Sequence, residues 1–365
     1  MLVKEIASFI ETIAPVAYQE SYDNAGLCIG NPDYKVNGIL ITLDVTEAVI
    51  DEAIRLGFNM IVSHHPLIFS GLKRITGKSE TERCVQKAIK NDLAIYAAHT
   101  NLDSVHGGVN SKICEKLGLK NCRILSPAEG QLKKLVTFVP TANLDNVRNA
   151  LFETGAGHIG NYDSCGFTTN GTGSFRDNEA TNPYIGEKGK LHFEEETRFE
   201  TIFPGHLQNR IISVLLKTHP YEEVAYDIYP LDNQNPQVGI GMVGELEKAV
   251  DETDFLRSIK NIFNCTVIKH TAFLHKKVKK VAVAGGSGST LLRAAIAANA
   301  DVFVSGDFKY HQFFEAENKI MIADIGHFES EQFTKELFYE LLTKKFPKFA
   351  VRLSEVKTNP VNYLI

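Results

Sequence analysis

Short apolar runs alternate with segments of helical spacing along the first part of the chain. The runs at residues 38–43, 58–62 and 93–98 predict buried strands, because they are short, continuous and bounded by polar residues. Between them, residues 46–56 and 79–91 repeat apolar positions three and four apart, which predicts helices. Strands that alternate with helices are typical of one largely parallel sheet covered by helices. We therefore expect an α/β fold here.

The same alternation returns after residue 237. Predicted helices lie at residues 252–263 and 290–298, and a third follows residue 326. Predicted strands lie at residues 279–284, 301–305 and 319–324. We expect these segments to complete the α/β domain that the first part of the chain begins.

The segment between these two parts has a different pattern. Predicted strands lie at residues 132–139, 191–202 and 224–231, and predicted helices at 143–154 and 207–217. Residues 169–173, rich in glycine, are predicted to form a hairpin tip. The order β-α-β-β-α-β is ferredoxin-like. The sequence therefore predicts a discontinuous α/β domain at residues 1–128 and 236–365, with a ferredoxin-like domain inserted at 129–235.

Composition narrows the possible functions. The chain has 365 residues, which favours two domains over one. A net charge of −5 argues against binding nucleic acid through a basic surface. No apolar run is long enough to cross a bilayer, and residues 1–14 are predicted to form an amphipathic helix, so we expect a cytoplasmic protein. The six cysteines form no Cys-x-x-Cys pair, so we expect any metal ligands to be nitrogen and oxygen.

Two adjacent histidines, His64 and His65, follow the predicted strand at residues 58–62. Neighbouring residues on a strand point to opposite faces, so one metal ion rarely binds both. At a strand end the pleat breaks, and each imidazole can bind one of two nearby ions. Pro66 favours such an end, because it lacks a donor and pushes His65 into an extended conformation. The alternative is a surface turn that carries two histidines.

Further candidate ligands follow other predicted strands. His327 and Glu331 are four residues apart at the start of a predicted helix, which places them on one face, and Asp103 follows another strand. Taken singly, the first two could be a surface pair and Asp103 a turn or capping residue. Together with His64 and His65 they lie at carboxyl ends of strands, where α/β sheets bind ligands. Three imidazoles and two carboxylates suit two divalent ions, with Asp103 or Glu331 as the bridge.

The segments that carry these residues resemble the motifs of a known family. They are Asp23-Asn24-Ala25-Gly26-Leu27, Ser63-His64-His65-Pro66, His99-Thr100-Asn101-Leu102-Asp103, Ser305-Gly306-Asp307 with Tyr310-His311, and Gly326-His327 with Glu331. The set is similar to that of the dinuclear metal-centre family of GTP cyclohydrolase I type 2 homologues, over residues 1–125 and 238–365. The insertion resembles the PII/CutA-like domain of longer members. Tyr22 stands where many members have tryptophan, a difference that affects packing and leaves the ligand argument intact.

The resemblance implies a site and a function. In that family the matching residues bind two metal ions, which carries over to His64, His65, Asp103, His327 and Glu331. Zinc is the ion we expect, with iron and manganese as alternatives. Longer members form toroidal homohexamers, so we expect a homo-oligomer. The family name implies opening of the imidazole ring of GTP, although no guanine-reading motif is apparent in the chain.

Three more residues are candidates for catalysis. His99, Asp307 and His311 follow predicted strands and could move protons beside the metals. His99 could instead orient a carboxylate or a bound water, or be a core histidine, and His311 could be a solvated helix residue. The loop at residues 285–289 could bind an anion through backbone N–H groups, or be a tight turn without a ligand.

Two functions from different classes are compatible with these residues. The first is a metal-dependent hydrolase acting on a nucleotide or a related small molecule. The second is a non-catalytic metal-binding protein, whose insert mediates assembly or senses a signal. Five ligands on two ions leave coordination positions for water or substrate, which favours the hydrolase.

Overall fold

The computed structural model describes residues 1–176, 178 and 184–364. It divides into two compact units. Unit 1 comprises Met1–Pro127 and Gln237–Ile365, and unit 2 comprises Ala128–Pro236. The sequence predicted limits at residues 1–128 and 236–365 for the α/β domain and at 129–235 for the inserted domain.

Most helices and strands that the sequence pattern predicts are present near their predicted positions. Within the described residues the α-helices are α1 (Val3–Ile13), α2 (Glu47–Arg55), α3 (Glu80–Lys90), α4 (Thr100–Asp103), α5 (Val109–Lys116), α6 (Leu144–Glu153), α7 (Gln208–Thr218), α8 (Glu252–Ile262), α9 (Leu292–Ala297), α10 (His327–Glu331) and α11 (Thr334–Lys345). The strands are β1 (Gly26–Ile29), β2 (Ile39–Thr42), β3 (Met60–Ser63), β4 (Ala94–Ala97), β5 (Lys120–Pro127), β6 (Leu132–Pro140), β7 (Gly166–Arg176), β8 (Leu191–Pro204), β9 (Tyr226–Leu231), β10 (Gly239–Asp251), β11 (Lys269–His270), β12 (Lys277–Ser287), β13 (Val302–Gly306), β14 (Met321–Asp324) and β15 (Val351–Leu353). No helix in this part of the chain combines the length and the apolar character needed to span a membrane.

The first sheet of unit 1 has the strand order β1-β4-β3-β2-β15. Strands β15, β2, β3 and β4 run parallel, and β1 joins β4 antiparallel at one edge. Every residue of β2, β3 and β4 is buried, which explains why these strands are continuous apolar runs in the sequence. Their carboxyl ends meet at one edge of the sheet, where His64 follows β3 and α4 follows β4.

The second sheet of unit 1 has the strand order β11-β14-β13-β12-β10-β5. Strands β12, β13 and β14 are parallel, whereas β10 pairs antiparallel with both β12 and β5. In the register of β5 and β10, Pro127 pairs with Gly239, so these residues are adjacent although unit 2 lies between them in the sequence. The chain therefore leaves unit 1 and returns to it at one place.

The expectation of one largely parallel sheet is wrong, because unit 1 has two sheets and the second is mixed. The predicted strands are present, with β2, β3 and β4 in one sheet and β12, β13 and β14 in the other. Strands β1, β5 and β10 were not predicted from the sequence. Strand β1 pairs antiparallel with β4, and β10 pairs antiparallel with β12 and β5. An apolar run indicates that a strand is buried but does not indicate its neighbours, so the two groups could not be assigned to separate sheets.

Both sheets contribute to one hydrophobic core. Val62 of the first sheet lies in the same buried cluster as Val283 and Val304 of the second. Side chains of alternate residues, such as Ile61 and Phe303, point to the opposite faces and pack into two further clusters. Each sheet is thus buried on both faces, which holds the strand ends in fixed positions.

Unit 2 has the element order β6-α6-β7-β8-α7-β9, the β-α-β-β-α-β order expected from the sequence. Its antiparallel sheet has the strand order β7-β8-β6-β9. A core that includes Leu135, Leu151 and Phe199 joins the sheet to α6 and α7. Residues 169–173 are not the expected hairpin tip, because they lie inside β7 and pair with residues 194–198 of β8.

Candidate metal centre

His64 is fully buried, and both of its ring nitrogens have defined surroundings. Nδ1 lies 2.9 Å from the carbonyl oxygen of Ala98, so this nitrogen carries the proton and donates it. Nε2 then presents a lone pair to two carboxylates, 3.8 Å from Asp103 Oδ1 and 3.6 Å from Glu331 Oε1. Nε2 and Asp103 Oδ1 have no hydrogen-bond partner among the described residues. Buried acceptors that face one another are unfavourable unless a cation lies between them.

His65 and His327 surround the other oxygen of Glu331. Their Nε2 atoms each lie 3.1 Å from Glu331 Oε2, and they lie 3.3 Å from each other. Their Nδ1 atoms donate in the opposite direction, from His65 to Asp44 and from His327 to Asp307, each at 2.7 Å. A carboxylate on Nδ1 fixes the tautomer and aims Nε2, which is the arrangement usually found behind metal-binding histidines.

Glu331 belongs to two groups of possible metal ligands, one with His64 and Asp103 and the other with His65 and His327. It lies on α10, four residues after His327, and its side chain is almost fully buried. One carboxylate oxygen faces His64, and the other faces His65 and His327. Of the two carboxylates that could lie between the groups, Glu331 occupies that position, whereas Asp103 belongs to the His64 group.

The end of β3 directs two neighbouring histidines to different groups. The His65 N–H donates to the Leu43 carbonyl at 2.9 Å, and the Ser63 hydroxyl donates to the His65 carbonyl at 2.8 Å. The first bond joins His65 to the end of β2, and the chain bends at His64 and His65, whose ring centroids are 4.9 Å apart. Because the regular pleat ends at this bend, both side chains can point to Glu331.

His99 is held beside the histidine pair by a buried carboxylate. Its Nδ1 donates to Asp23 Oδ1 at 2.7 Å, while Asp23 Oδ2 accepts from the Thr100 N–H at 3.0 Å and from the Thr100 hydroxyl at 2.5 Å. The His99 ring centroid lies 5.3 Å from those of His64 and His65. These three histidines could also form a metal-binding group, so His99 has access to the same centre. Burial opposes ionisation of Asp23, but its hydrogen bonds from His99 and Thr100 lower its pKa to about 2.

The electrostatics of the site favour a bound cation. Burial alone would raise the pKa of Glu331, but the facing imidazoles, first that of His64, hold it well below its ordinary value. Burial would lower the pKa of His65, but Asp44 and Glu331 outweigh it and raise the pKa to about 10. For Asp103 burial dominates and raises the pKa to about 6. Carboxylates that raise the pKa of facing imidazoles would equally stabilise a divalent cation, and binding of a metal ion would release protons from its ligands.

Gly286 leaves the space that the Glu331 carboxylate occupies. Its φ is +62°, and a Cβ at this position would lie 2.3 Å from Glu331 Oε1. The Gly286 N–H donates to Ser330 Oγ and the Gly285 N–H donates to Asn110 Oδ1, each at 2.9 Å. These two N–H groups therefore hold the loop in place and are not available to bind an anion, one of the two roles that the sequence left open for this loop.

Two cavities flank the site, and His65 and His327 line both of them. The larger has a volume of about 730 Å³ and is lined on one side by the exposed rings of Tyr22 and Phe69. The smaller has a volume of about 540 Å³ and lies on the side of the Asp44 carboxylate. Both volumes are typical of sites for small molecules.

Asp307 and His311, two of the predicted catalytic residues, occupy different places. Asp307 lines the smaller cavity and accepts the hydrogen bond from His327 Nδ1. His311 is exposed on a 3₁₀ turn, Tyr310–Ala316, and its ring contacts Tyr310 and Phe314. His311 is not among the described residues that line either cavity. The structure thus brings Asp307 to the candidate centre and leaves His311 outside it, because the turn directs His311 to solvent.

Two carboxylates behind the histidines were not identified as site residues from the sequence. Asp44 follows β2 closely, and its position at the carboxyl end of a buried strand was a signal that could have found it. Asp23 lies in a turn before β1 and reaches His99 across 76 residues of chain. No periodic pattern predicts that contact, since it depends on how β1 pairs with β4.

Comparisons with known proteins show similarity over almost the whole chain. The family model described as Duf34/NIF3 (NGG1p interacting factor 3) matches residues 1–360. A Halalkalibacterium halodurans protein named GTP cyclohydrolase 1 type 2 homolog is 41% identical over 364 residues, 98% of each chain. The crystal structure of a Bacillus cereus protein related to NIF3 has a TM-score of 0.86 at 40% identity, and covers 100% of this chain and 99% of that one. A crystal structure from Staphylococcus aureus has a TM-score of 0.79 at 28% identity, with the same coverage.

Proposed function

The chain belongs to the Duf34/NIF3 family, and we propose that its unit 1 is a metal-dependent hydrolase with two divalent ions in the active site. The observation that carries this proposal is the division of the Glu331 carboxylate between two sets of imidazoles. Buried acceptor atoms without a partner in this part of the chain, Glu331 Oε2 among them, fit the donor set that such ions require.

Each ion would have its own ligands in addition to Glu331. His65 and His327 would hold one, and His64 and Asp103 would hold the other. Ions at these positions supply Lewis acidity and a water of lowered pKa, which is the chemistry that hydrolysis needs. Imidazole nitrogens and carboxylate oxygens bind zinc, iron and manganese; we propose zinc, because both ligand types are among those that zinc takes in proteins.

His99 is the residue we propose for proton transfer. Asp23 fixes its Nδ1–H, which leaves Nε2 as the atom that can accept or donate a proton. The ring lines the larger cavity, so a substrate there can come within reach of Nε2. We propose that Asp307 orients His327 and does not transfer protons, since its carboxylate accepts a hydrogen bond from His327 Nδ1.

The substrate we propose is a nucleotide or a related small molecule with a planar ring. Tyr22 and Phe69 lie at the wall of the larger cavity, with ring centroids 6.3 Å apart and planes tilted by 49°. Exposed aromatic rings beside a polar centre favour stacking with a planar heterocycle. The name of the similar H. halodurans protein points to the same class of substrate.

A second candidate function is a non-catalytic metal-binding protein that assembles through unit 2. The β-α-β-β-α-β order and separate core of unit 2 support our proposal that it is a PII/CutA-like domain. Domains of this type commonly form trimers, and a homohexamer would follow if unit 1 also pairs. Turnover of a substrate by the metal-loaded protein would decide in favour of the hydrolase.

The test compares metal content and hydrolysis in three variants of the full-length protein. Glu331→Gln should lose most of both ions, because Glu331 belongs to both groups, whereas Asp103→Asn should retain about one ion per subunit. Glu315→Gln, an exposed carboxylate elsewhere in unit 1, is the control and should retain about two. Hydrolysis of a panel of nucleotides should follow metal content. Full metal retention in Glu331→Gln would overturn the proposed ligands, and a metal-loaded protein without any hydrolysis would favour the second function.

A further inference from the structure

Unit 2 contains a cavity of about 370 Å³ that plays no part in the proposed hydrolysis. Three aromatic side chains line it, those of Phe175, Tyr184 and Tyr221. The Tyr221 ring centroid lies 5.9 Å from that of Phe175 and 6.3 Å from that of Tyr184, with planes tilted by 61° and 52°. Three rings inclined to one another around one cavity form a concave aromatic wall.

Carboxylates line the same cavity. Glu196 is 9% exposed, and its Oε1 accepts a hydrogen bond from the Tyr221 hydroxyl at 2.9 Å. Glu222 and Glu223, which follow Tyr221 in the chain, line the cavity as well. Among the described lining residues these three carboxylates stand against one basic side chain, that of Arg176. Carboxylates therefore outnumber basic side chains among the described residues that line the cavity.

The pocket is built by contacts that fix its walls. A Cβ on Gly173 would lie 2.1 Å from Glu196 Oε2, so the glycine leaves the space that this carboxylate fills. His219 holds the loop that carries Tyr221: its Nε2–H donates to the Phe138 carbonyl at 2.9 Å, and its Nδ1 accepts the Tyr221 N–H at 3.1 Å. His219 thus positions Tyr221. The ring and the carboxylate are in place before any ligand binds.

We propose that this pocket binds a small organic cation, an alkylammonium group, between the aromatic rings and the Glu196 carboxylate. An aromatic face attracts a cation through the negative potential above the ring, and a buried carboxylate strengthens that attraction. An anion would be repelled by the carboxylates. The volume suits a group of the size of trimethylammonium with a short chain attached. The proposal stands on unit 2 alone and does not depend on the function proposed for unit 1.

The test uses choline as the probe and its neutral isostere, 3,3-dimethylbutan-1-ol, as the matched ligand. Both are titrated into the full-length protein by isothermal calorimetry and by NMR of labelled tyrosine and phenylalanine rings. We expect choline to bind with a Kd of about 1 mM or below, and the neutral isostere to bind about tenfold more weakly, because it lacks the charge that the rings and the carboxylate attract. Equal binding of the two ligands would overturn the proposal, and so would the absence of choline binding at about 50 mM.

Substitutions of pocket residues test whether choline binds in this pocket. Glu196→Gln removes the charge and keeps the size of the side chain, and it should weaken choline binding about tenfold. Tyr184→Leu removes one ring and should weaken it several-fold, while Tyr229→Leu, an exposed tyrosine on β9 of the same unit, is the control and should leave it unchanged. Metal content measured on the same samples should stay constant. Choline binding that is unaffected by both pocket substitutions would place the cation elsewhere and refute the assignment.

Discussion

Replacement of Gly286 by alanine tests the candidate centre while every proposed metal ligand keeps its own side chain. The Cβ of the new residue would lie 2.3 Å from Glu331 Oε1, which is 1.1 Å short of the 3.4 Å at which ordinary contacts begin. The Glu331 carboxylate must therefore move by about 1 Å, whereas metal–ligand distances tolerate only about 0.2 Å. Because Glu331 faces both groups of imidazoles, we expect both ions to bind more weakly, each by about 10-fold to 100-fold.

Gly118→Ala is the matched control for this prediction. Gly118 has a φ of +67°, close to the +62° of Gly286, and a Cβ there would meet nothing within 4 Å. Both variants force alanine into the left-handed region, which costs about 1–2 kcal/mol of stability in each. The left-handed conformation therefore costs the two variants the same, and any difference between them in metal affinity reports the displacement of Glu331.

The measurement is a competition titration of each metal-free variant against a chelator of known affinity, with thermal unfolding followed in parallel. If the affinity of Gly286→Ala equals that of Gly118→Ala, then Glu331 does not contribute to metal binding and the reasoning from its position fails. If Gly286→Ala does not fold, Gly286→Ser cannot replace it, because serine has the same Cβ. The comparison is then made with Glu331→Asp, which moves the carboxylate by shortening the side chain of residue 331.

Three further outcomes can be checked. Asp44→Asn should weaken one ion about 10-fold to 100-fold in the same titration, because it removes the carboxylate that orients His65; an unchanged affinity would rule out that role. The pKa values of His65 and His327 in the folded protein are raised to about 10 and 9, whereas an unfolded histidine has a pKa of about 6.5. Protonation of these two residues therefore stabilises the metal-free protein fully below a pH of about 6.5, and this stabilisation is lost as the pH rises through 9 and 10. Chelator-treated protein should therefore unfold at a lower temperature at pH 10 than at pH 7, and metal affinity should rise over the same range; the opposite trend in either would contradict the assigned protons. Replacement of residues 128–236 by a short turn should leave metal content at about the level of the full chain, whereas an aggregated product without metal would show that unit 1 depends on unit 2.

The sequence predicted the strands that carry the candidate centre more completely than it predicted their arrangement. His64 and His65 could be placed at a strand end because the apolar run before them and Pro66 after them are local signals. The spacing of His327 and Glu331 likewise needed only the geometry of a helix. The division of unit 1 into two sheets could not be predicted, since antiparallel strands such as β5 and β10 join segments that are distant in sequence.

The contacts behind the histidines were beyond local patterns for the same reason. Asp44 and Asp23 lie 21 and 76 residues from the rings they orient, and no periodicity relates them. His311 also follows a strand, as Asp307 does, but the 3₁₀ turn directs it to solvent, which agrees with the alternative of a solvated residue. Residues within a few positions of a strand end could thus be placed, and their partners from other elements required the tertiary structure.

The pairing of Pro127 with Gly239 makes unit 2 an exchangeable module. The two ends of the module are already neighbours in a β-ladder, so another domain with closely spaced termini could be grafted there without stretching unit 1. A fluorescent or luminescent reporter is such a domain, and its insertion would attach the reporter directly to unit 1. In protein families, the same arrangement allows a domain to be gained or lost in one step. Strands β5 and β10 can be joined by a short turn or by a whole domain, and their pairing stays the same in both cases.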